Sequence, residues 1–194
     1  MREHIIRSVS DNVKLLEIFL QNSQNIEKIN QLGKLIAGRF SEGNKIIIFG
    51  NGGSSCDAAH FAEEFTGRYR KNRKALPVIV INESSHLSCV ANDYGFDQVF
   101  YRGVEAFSKK GDVVIGLSTS GNSQNVKLGL DLAKSLGGIT VALLGKDGGK
   151  MKHLYDYEWI VSAQTSDRVQ EIHMTILHIL IEIVERHLFP DHYS

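Results

Sequence analysis

Four short apolar runs constrain this chain more than any other feature: residues 45–49 (KIIIF), 77–81 (PVIVI), 112–117 (DVVIGL) and 139–144 (ITVALL). Each is continuous rather than alternating, the mark of a strand covered on both faces, and each is too short for a buried helix. Residues 158–161 (EWIV) make a weaker fifth. Helix-like segments separate the runs, so β and α alternate along the chain. That order predicts an α/β fold with a five-stranded parallel sheet flanked by helices.

Residues 1–42 do not belong to this alternation. Val13, Leu15, Leu16, Ile18, Phe19 and Leu20 give a first helix an apolar stripe, and Asn22-Ser23 breaks it. Ile26, Ile29, Leu32, Leu35, Ile36 and Phe40 then recur at three- and four-residue steps, the helical period, until Gly43. The reading is one domain over 1–194: an amino-terminal helical extension at 1–42 and an α/β core at 43–194. Two long amphipathic helices not needed to close the sheet are expected to serve in oligomerisation. The segment 167–188 reads as a long final helix.

Lysine plus arginine and aspartate plus glutamate both count 22, for zero formal net charge. A protein that coats nucleic acid or an anionic membrane needs a positive excess, so neither partner is expected. No run approaches the roughly 18 apolar residues of a membrane span, and the amino terminus lacks an apolar signal region. Two cysteines, Cys56 and Cys89, are a poor disulfide framework for 194 residues, and reduced thiols in the cytoplasm are expected.

Open parallel sheets bind ligands beyond the carboxyl ends of their strands. Two loops fit that place. The first strand runs into Gly50-Asn51-Gly52-Gly53-Ser54-Ser55, with a helical segment from Asp57. The glycines let backbone approach a ligand closely, and Ser54 and Ser55 add hydroxyl donors. The third strand runs into Ser118-Thr119-Ser120-Gly121-Asn122-Ser123, which also opens a helix. Four hydroxyls and a helix amino terminus form a phosphate cradle without a lysine. Neither loop is a dinucleotide fingerprint or a Walker loop.

On the helix after the first loop, His60 and Glu64 are four apart and share a face, a spacing suited to a metal or to acid–base work. On the last helix, Gln170 and His178 lie about two turns apart. His178 sits in the apolar stretch Thr175-Ile176-Leu177-His178-Ile179-Leu180-Ile181. Burying it there costs free energy unless something pairs with it: a partner in a site, or a backbone carbonyl in the core.

These segments, with Gly67-Arg68-Tyr69, Asn92-Asp93-Tyr94-Gly95-Phe96, Gly145-Lys146-Asp147-Gly148-Gly149 and Arg168-Val169-Gln170-Glu171-Ile172-His173, stand in the order found in phosphoheptose isomerases. The chain resembles that family, a branch of the sugar-isomerase (SIS) domain proteins, over essentially its whole length. The resemblance implies a flavodoxin-like sheet and a homotetramer with sites shared between subunits. It also implies the conversion of sedoheptulose 7-phosphate to D-glycero-D-manno-heptose 7-phosphate, which opens bacterial heptose synthesis for surface polysaccharide.

Carried over by motif, Ser118, Thr119, Ser120 and Ser123 would hold the phosphate. Asn51, Gly52, Gly53, Asn92, Asp93, Asp167 and Gln170 would contact the sugar. His60, Glu64, Gln170 and His178 match the family's zinc positions, and Glu64 and His178 also match its proposed acid–base pair. These two roles pull against each other, since a carboxylate on zinc is a weaker base and a metal-bound imidazole has no proton to give from the bound nitrogen. Two other readings stand beside this one: a non-catalytic SIS tetramer that acts as a scaffold for the replication initiator, and an isomerase of another sugar phosphate.

Overall fold

The computed structural model describes residues 1–193. Five strands, β1 (Ile46–Gly50), β2 (Val78–Val80), β3 (Val113–Ser118), β4 (Ile139–Gly145) and β5 (Tyr157–Val161), form one sheet in the order β2-β1-β3-β4-β5. Every neighbouring pair is parallel, with Ile48 facing Val80 on one side and Ile115 on the other. This is the flavodoxin-like order. The helices are α1 (Arg2–Gln21), α2 (Ser23–Ser41), α3 (Gly53–Thr66), α4 (Ser84–Tyr94), α5 (Val99–Phe107), α6 (Gln124–Ser135) and α7 (Ser166–Leu188).

Successive residues along a strand point to opposite faces, so the continuous apolar runs feed two cores. Ile46, Ile48, Val113, Ile115, Leu117, Val141, Leu143 and Trp159 face the layer that holds α2, α3 and α7. Ile47, Phe49, Val114, Ala142 and Leu144 face the layer of α4, α5 and α6. Both faces are sealed against water, and polar chemistry is left to the ends of the strands.

The two amino-terminal helices behave differently. Helix α2 buries Ile29, Leu32 and Ile36 in the first core and packs against α7. Helix α1 has no buried residue, and Ile5, Ile6, Val9, Ile18 and Leu20 are each more than half exposed. Of these two helices, α1 leaves the broader apolar face open in the single chain. Asn22 makes the break between them, its side-chain Oδ1 accepting from Gln24 N at 3.1 Å.

His173, on the sheet face of α7, is fully buried and its Nε2 lies 3.0 Å from the Leu144 carbonyl, while Nδ1 has no partner. Burial pushes its pKa down to about 4, against a smaller upward pull from that carbonyl. The folded state therefore holds it neutral where the unfolded chain, near 6.5, takes up a proton. Stability is full above about 6.5 and falls as pH drops towards 4, by at most about 1.4 kcal/mol per pH unit from this one group. We expect the melting temperature to decline over that window and the decline to be shallower in His173→Leu, after allowance for the lost hydrogen bond. Equal slopes in the two proteins would remove His173 as the cause.

Candidate active site

The strand order places a switch point between β1 and β3, because the chain leaves β1 for the β2 edge and β3 for the β5 edge. The glycine loop and the serine loop lie at the carboxyl ends of these two strands. They are tied together by a reciprocal pair of amides, Asn51 Nδ2 donating to Asn125 Oδ1 and Asn125 Nδ2 to Asn51 Oδ1, both at 2.9 Å. Asn125 is buried in the first turn of α6 and escaped the sequence reading, since asparagine at a helix start reads as a cap.

In the serine loop, Ser118 and Ser123 Oγ atoms are 2.9 Å apart, and Ser120 Oγ accepts from Asn122 N at 3.1 Å. Gly121 takes φ +65°, and a β-carbon there would collide with the Gly148 carbonyl, so the loop depends on glycine. Thr119 Oγ1 lies 3.1 Å from Ser166 Oγ, which ties the loop to the first turn of α7. The hydroxyls thus bond chiefly to one another at the amino end of α6, an arrangement that can turn towards an anion.

After β1, helix α3 begins at Gly53 rather than near Asp57. The difference matters for Ser54: it enters the first helical turn and is buried against Gly50, not displayed as a hydroxyl donor. Gly52 caps the helix at φ +55°. Gly53 lets Gln170 of α7 come close, and a β-carbon at Gly53 would sit 2.5 Å from Gln170 Nε2.

Two turns further along α3, His60 Nε2 stands 3.4 Å from Glu64 Oε1 and 3.9 Å from Glu63 Oε1. His178 of α7 meets them edge-on, its ring centroid 5.0 Å from that of His60. Ligand atoms of His60, Glu64 and His178 all fall within 4.8 Å of one another, and Tyr69 stacks on His178 from the other side at 6.1 Å. The sequence spacing on α3 thus met its complement on α7. His178 is half-buried in this cluster; the histidine satisfied by a core carbonyl is His173, five residues earlier.

Burial holds the His178 pKa below the usual imidazole range, reinforced by His60 and opposed by Glu64. A neutral imidazole is the form that binds metal. Two imidazoles and a carboxylate at this separation suit a borderline cation such as zinc. Asp57, one turn before His60, was not singled out from the sequence, although an i, i+3 relation to His60 could have marked it. Its half-buried carboxyl is pushed up to about 6 by burial, against a downward pull from His60, and its Oδ2 is buried with no partner.

Other expected residues do not join the cluster within one chain. The Gln170 side chain has no hydrogen-bond partner among the described residues, and it lies against Gly53, roughly 10 Å of helix rise from His60. Asp167 is exposed in the first turn of α7, paired with Arg168 at 3.1 Å. Asn92 and Asp93 are exposed at the end of α4, in the opposite helical layer, with Asn92 Nδ2 donating to Asp93 Oδ1 at 2.7 Å.

Fold and loops together define a class: the family model described as the SIS domain matches residues 13–145, which include both loops and the α3 pair. Full-length relatives extend the match through α7. The chain is 53% identical to a phosphoheptose isomerase of Fusobacterium nucleatum over 98% of each chain. It is 50% identical to that of Vibrio cholerae over 97% of this chain and all of the other. A solved phosphoheptose isomerase from Neisseria gonorrhoeae superposes with a TM-score of 0.88 at 31% identity, over 95% of this chain and 98% of that one. The chain belongs to the phosphoheptose isomerase family.

The free Gln170 amide is testable. Gly53→Ala places a methyl where the amide rests, and a flexible side chain can swing aside. The melt should be unchanged, or raised by up to about 1 kcal/mol because alanine restricts the unfolded chain. Zinc affinity, measured by titrating the chelator-treated protein, should change as the amide is displaced. A melting temperature lowered by several degrees would show that Gln170 is pinned where it lies.

Proposed function

We propose that the chain isomerises sedoheptulose 7-phosphate to D-glycero-D-manno-heptose 7-phosphate, the opening step of bacterial heptose synthesis for surface polysaccharide. The observation that carries this reading is the His60–Glu64–His178 cluster, borne by the two helices whose first turns border the serine loop. An extended sugar phosphate requires a phosphate grip and a proton-transfer site held apart, and in this reading the serine loop and the cluster supply them. A scaffold that does no chemistry has no need of Glu64 and His178, and both are present.

In this reading the phosphate is held by Ser118, Thr119, Ser120 and Ser123, with the N–H groups at the start of α6 adding their dipole. Gly52, Gly53, Asn51, Asp167 and Gln170 line the sugar. Isomerising a 2-ketose to an aldose moves one proton from C1 to C2 and another from O1 to O2. Glu64, a half-buried carboxylate, takes the C1 proton and, as the carboxylic acid so formed, returns it to C2 of the enediol. His178, kept neutral by burial, is poorly suited to serve as an ionised acid at neutral pH, and this supports a ligand or hydrogen-bonding role.

The residues fit zinc, with His60, Glu64 and His178 as ligands and Gln170 as a fourth donor once its amide leaves Gly53. Bound there, zinc supplies Lewis-acid polarisation of the carbonyl and hydroxyl oxygens where negative charge develops. Glu64→Gln keeps the shape and removes the proton acceptor. It should fold and assemble normally while kcat falls by at least about 10²-fold, the low end for general base catalysis. Near-normal turnover of sedoheptulose 7-phosphate in a coupled assay would refute the assignment. The same assay run on five- and six-carbon ketose phosphates separates this substrate from its shorter relatives.

The apolar face of α1 and the isolation of Asn92 and Asp93 from the cluster both favour a homotetramer with sites shared between subunits. The exposed Ile5, Ile6, Val9, Ile18 and Leu20 would be covered by another copy, and Asn92 and Asp93 would reach a neighbour's site. Light scattering at micromolar concentration should give the mass of four chains; a monomer would sink the idea. A cytoplasmic setting fits a phosphorylated substrate, and among the described residues no helix is long and apolar enough to cross a membrane.

A further inference from the structure

We infer that Arg73, through its buried pairing with Glu185, is a positioning residue for the His60–Glu64–His178 cluster. The inference rests on the reading of that cluster as the isomerase's metal and proton-transfer site.

Arg73 lies in the irregular segment between α3 and β2, where a surface arginine would be unremarked. Its side chain is instead wholly buried, as is that of Glu185 on α7. All three guanidinium nitrogens donate. Nε donates to Glu185 Oε1 at 2.7 Å, and Nη2 to the carbonyl of Glu64 at 2.6 Å. Nη1 donates to the carbonyls of Phe65 at 2.7 Å, Gly67 at 2.9 Å and Lys74 at 3.3 Å. The far oxygen of Glu185 accepts from the Tyr193 hydroxyl at 2.5 Å.

The carbonyls of Glu64 and Phe65 are those an α-helix leaves without partners at its carboxyl end, where a cation is also favoured by the dipole. One of them belongs to Glu64 itself. Glu185 comes seven residues after His178, two turns along α7, and shares its face. One planar group therefore fixes the main chain of Glu64 and a point on α7 directly below His178. The gap between the two helices that carry the cluster is set at this end by a rigid fork.

Stability alone does not explain the choice, because an apolar pair of similar volume often stabilises a core as well as a buried ion pair does. What apolar side chains lack is direction. Lysine lacks it too, since a single ammonium cannot span Glu185 and the Glu64 and Phe65 carbonyls in one plane.

The test compares Arg73→Met/Glu185→Leu, which removes both charges together, with Arg73→Lys and with Val104→Ala. Val104 is buried in the opposite helical layer and serves as a control for lost stability. Each protein is melted, stripped of metal, titrated with zinc against a competing chelator, and assayed with sedoheptulose 7-phosphate. In the folded double variant and in Arg73→Lys, zinc affinity should weaken by about 10–100-fold, as when partners that orient metal ligands are lost. The same variants should lose about tenfold or more in kcat, with KM, dominated by the serine loop, within about threefold. Val104→Ala should melt lower yet keep the zinc affinity and kcat of the unaltered protein.

Unaltered zinc affinity and kcat in the double variant would overturn the positioning role; should that variant not fold, the same result in Arg73→Lys would do so. Parallel losses in Val104→Ala would also overturn it, because they would reduce the effect to stability. If the unaltered protein neither binds zinc nor turns over the substrate, it is the reading of the cluster that fails.

Discussion

The parallel pairing of β1 with β3, each departing towards a different edge, is the constraint on which the rest depends. It opens one gap in the ring of connections, and every strand points its carboxyl end the same way. Because both sheet faces are sealed by apolar side chains, polar groups of the loops collect at the ends of the strands. The two edges of the sheet show the consequence. At the amino ends, Asp112 is buried but saturated, its carboxylate accepting from Lys45 Nζ at 2.5 Å, Lys45 N at 3.1 Å, Asn44 Nδ2 at 3.0 Å and Lys109 N at 2.9 Å. Burial pushes its pKa up, yet these donors outweigh that and hold it below the ordinary value. Near the carboxyl ends, by contrast, Gln170 has no side-chain partner and Asp57 Oδ2 is buried without one among the described residues. An unsatisfied buried polar group costs free energy that a ligand could relieve.

Helix α7 shows how one element serves both structure and chemistry. His173 and His178 are five residues apart, about 140° around the helix, so one faces the sheet and the other faces α3. The first is a neutral core residue that touches β4; the second closes a cluster with His60 and Glu64. The SIS model ends at residue 145, before α7 begins. The serine loop and the His60–Glu64 pair thus lie inside the span that the SIS model matches, whereas His178 lies beyond it, in the part that the full-length phosphoheptose isomerase matches also cover.

The sequence by itself determined the architecture. Five apolar runs separated by helical periods allow few folds other than a two-faced parallel sheet, and strand boundaries fell within a residue or two because solvent exposure changes abruptly at the ends of each run. The places of the glycine and serine loops were legible too, because they follow directly from the ends of the first and third apolar runs. His60 and Glu64 were legible because four residues along a helix fix a shared face.

Tertiary structure alone decided what depends on distance in space. The apolar neighbourhood of His178 left two partners open, a site or a core carbonyl, and packing settled which histidine takes which: His178 meets α3 and His173 the Leu144 carbonyl. The sequence placed Ser54 in a loop, whereas α3 begins at Gly53 and takes Ser54 into its first turn, where it is buried. It gave no sign of Arg73 or Asn125, whose partners lie on other elements. Nor could it separate α2, which the first core absorbs, from α1, where Leu15, Leu16 and Phe19 touch that core and the rest of the stripe stays exposed. Periodicity encodes that a face is apolar; what covers it is settled by long-range packing.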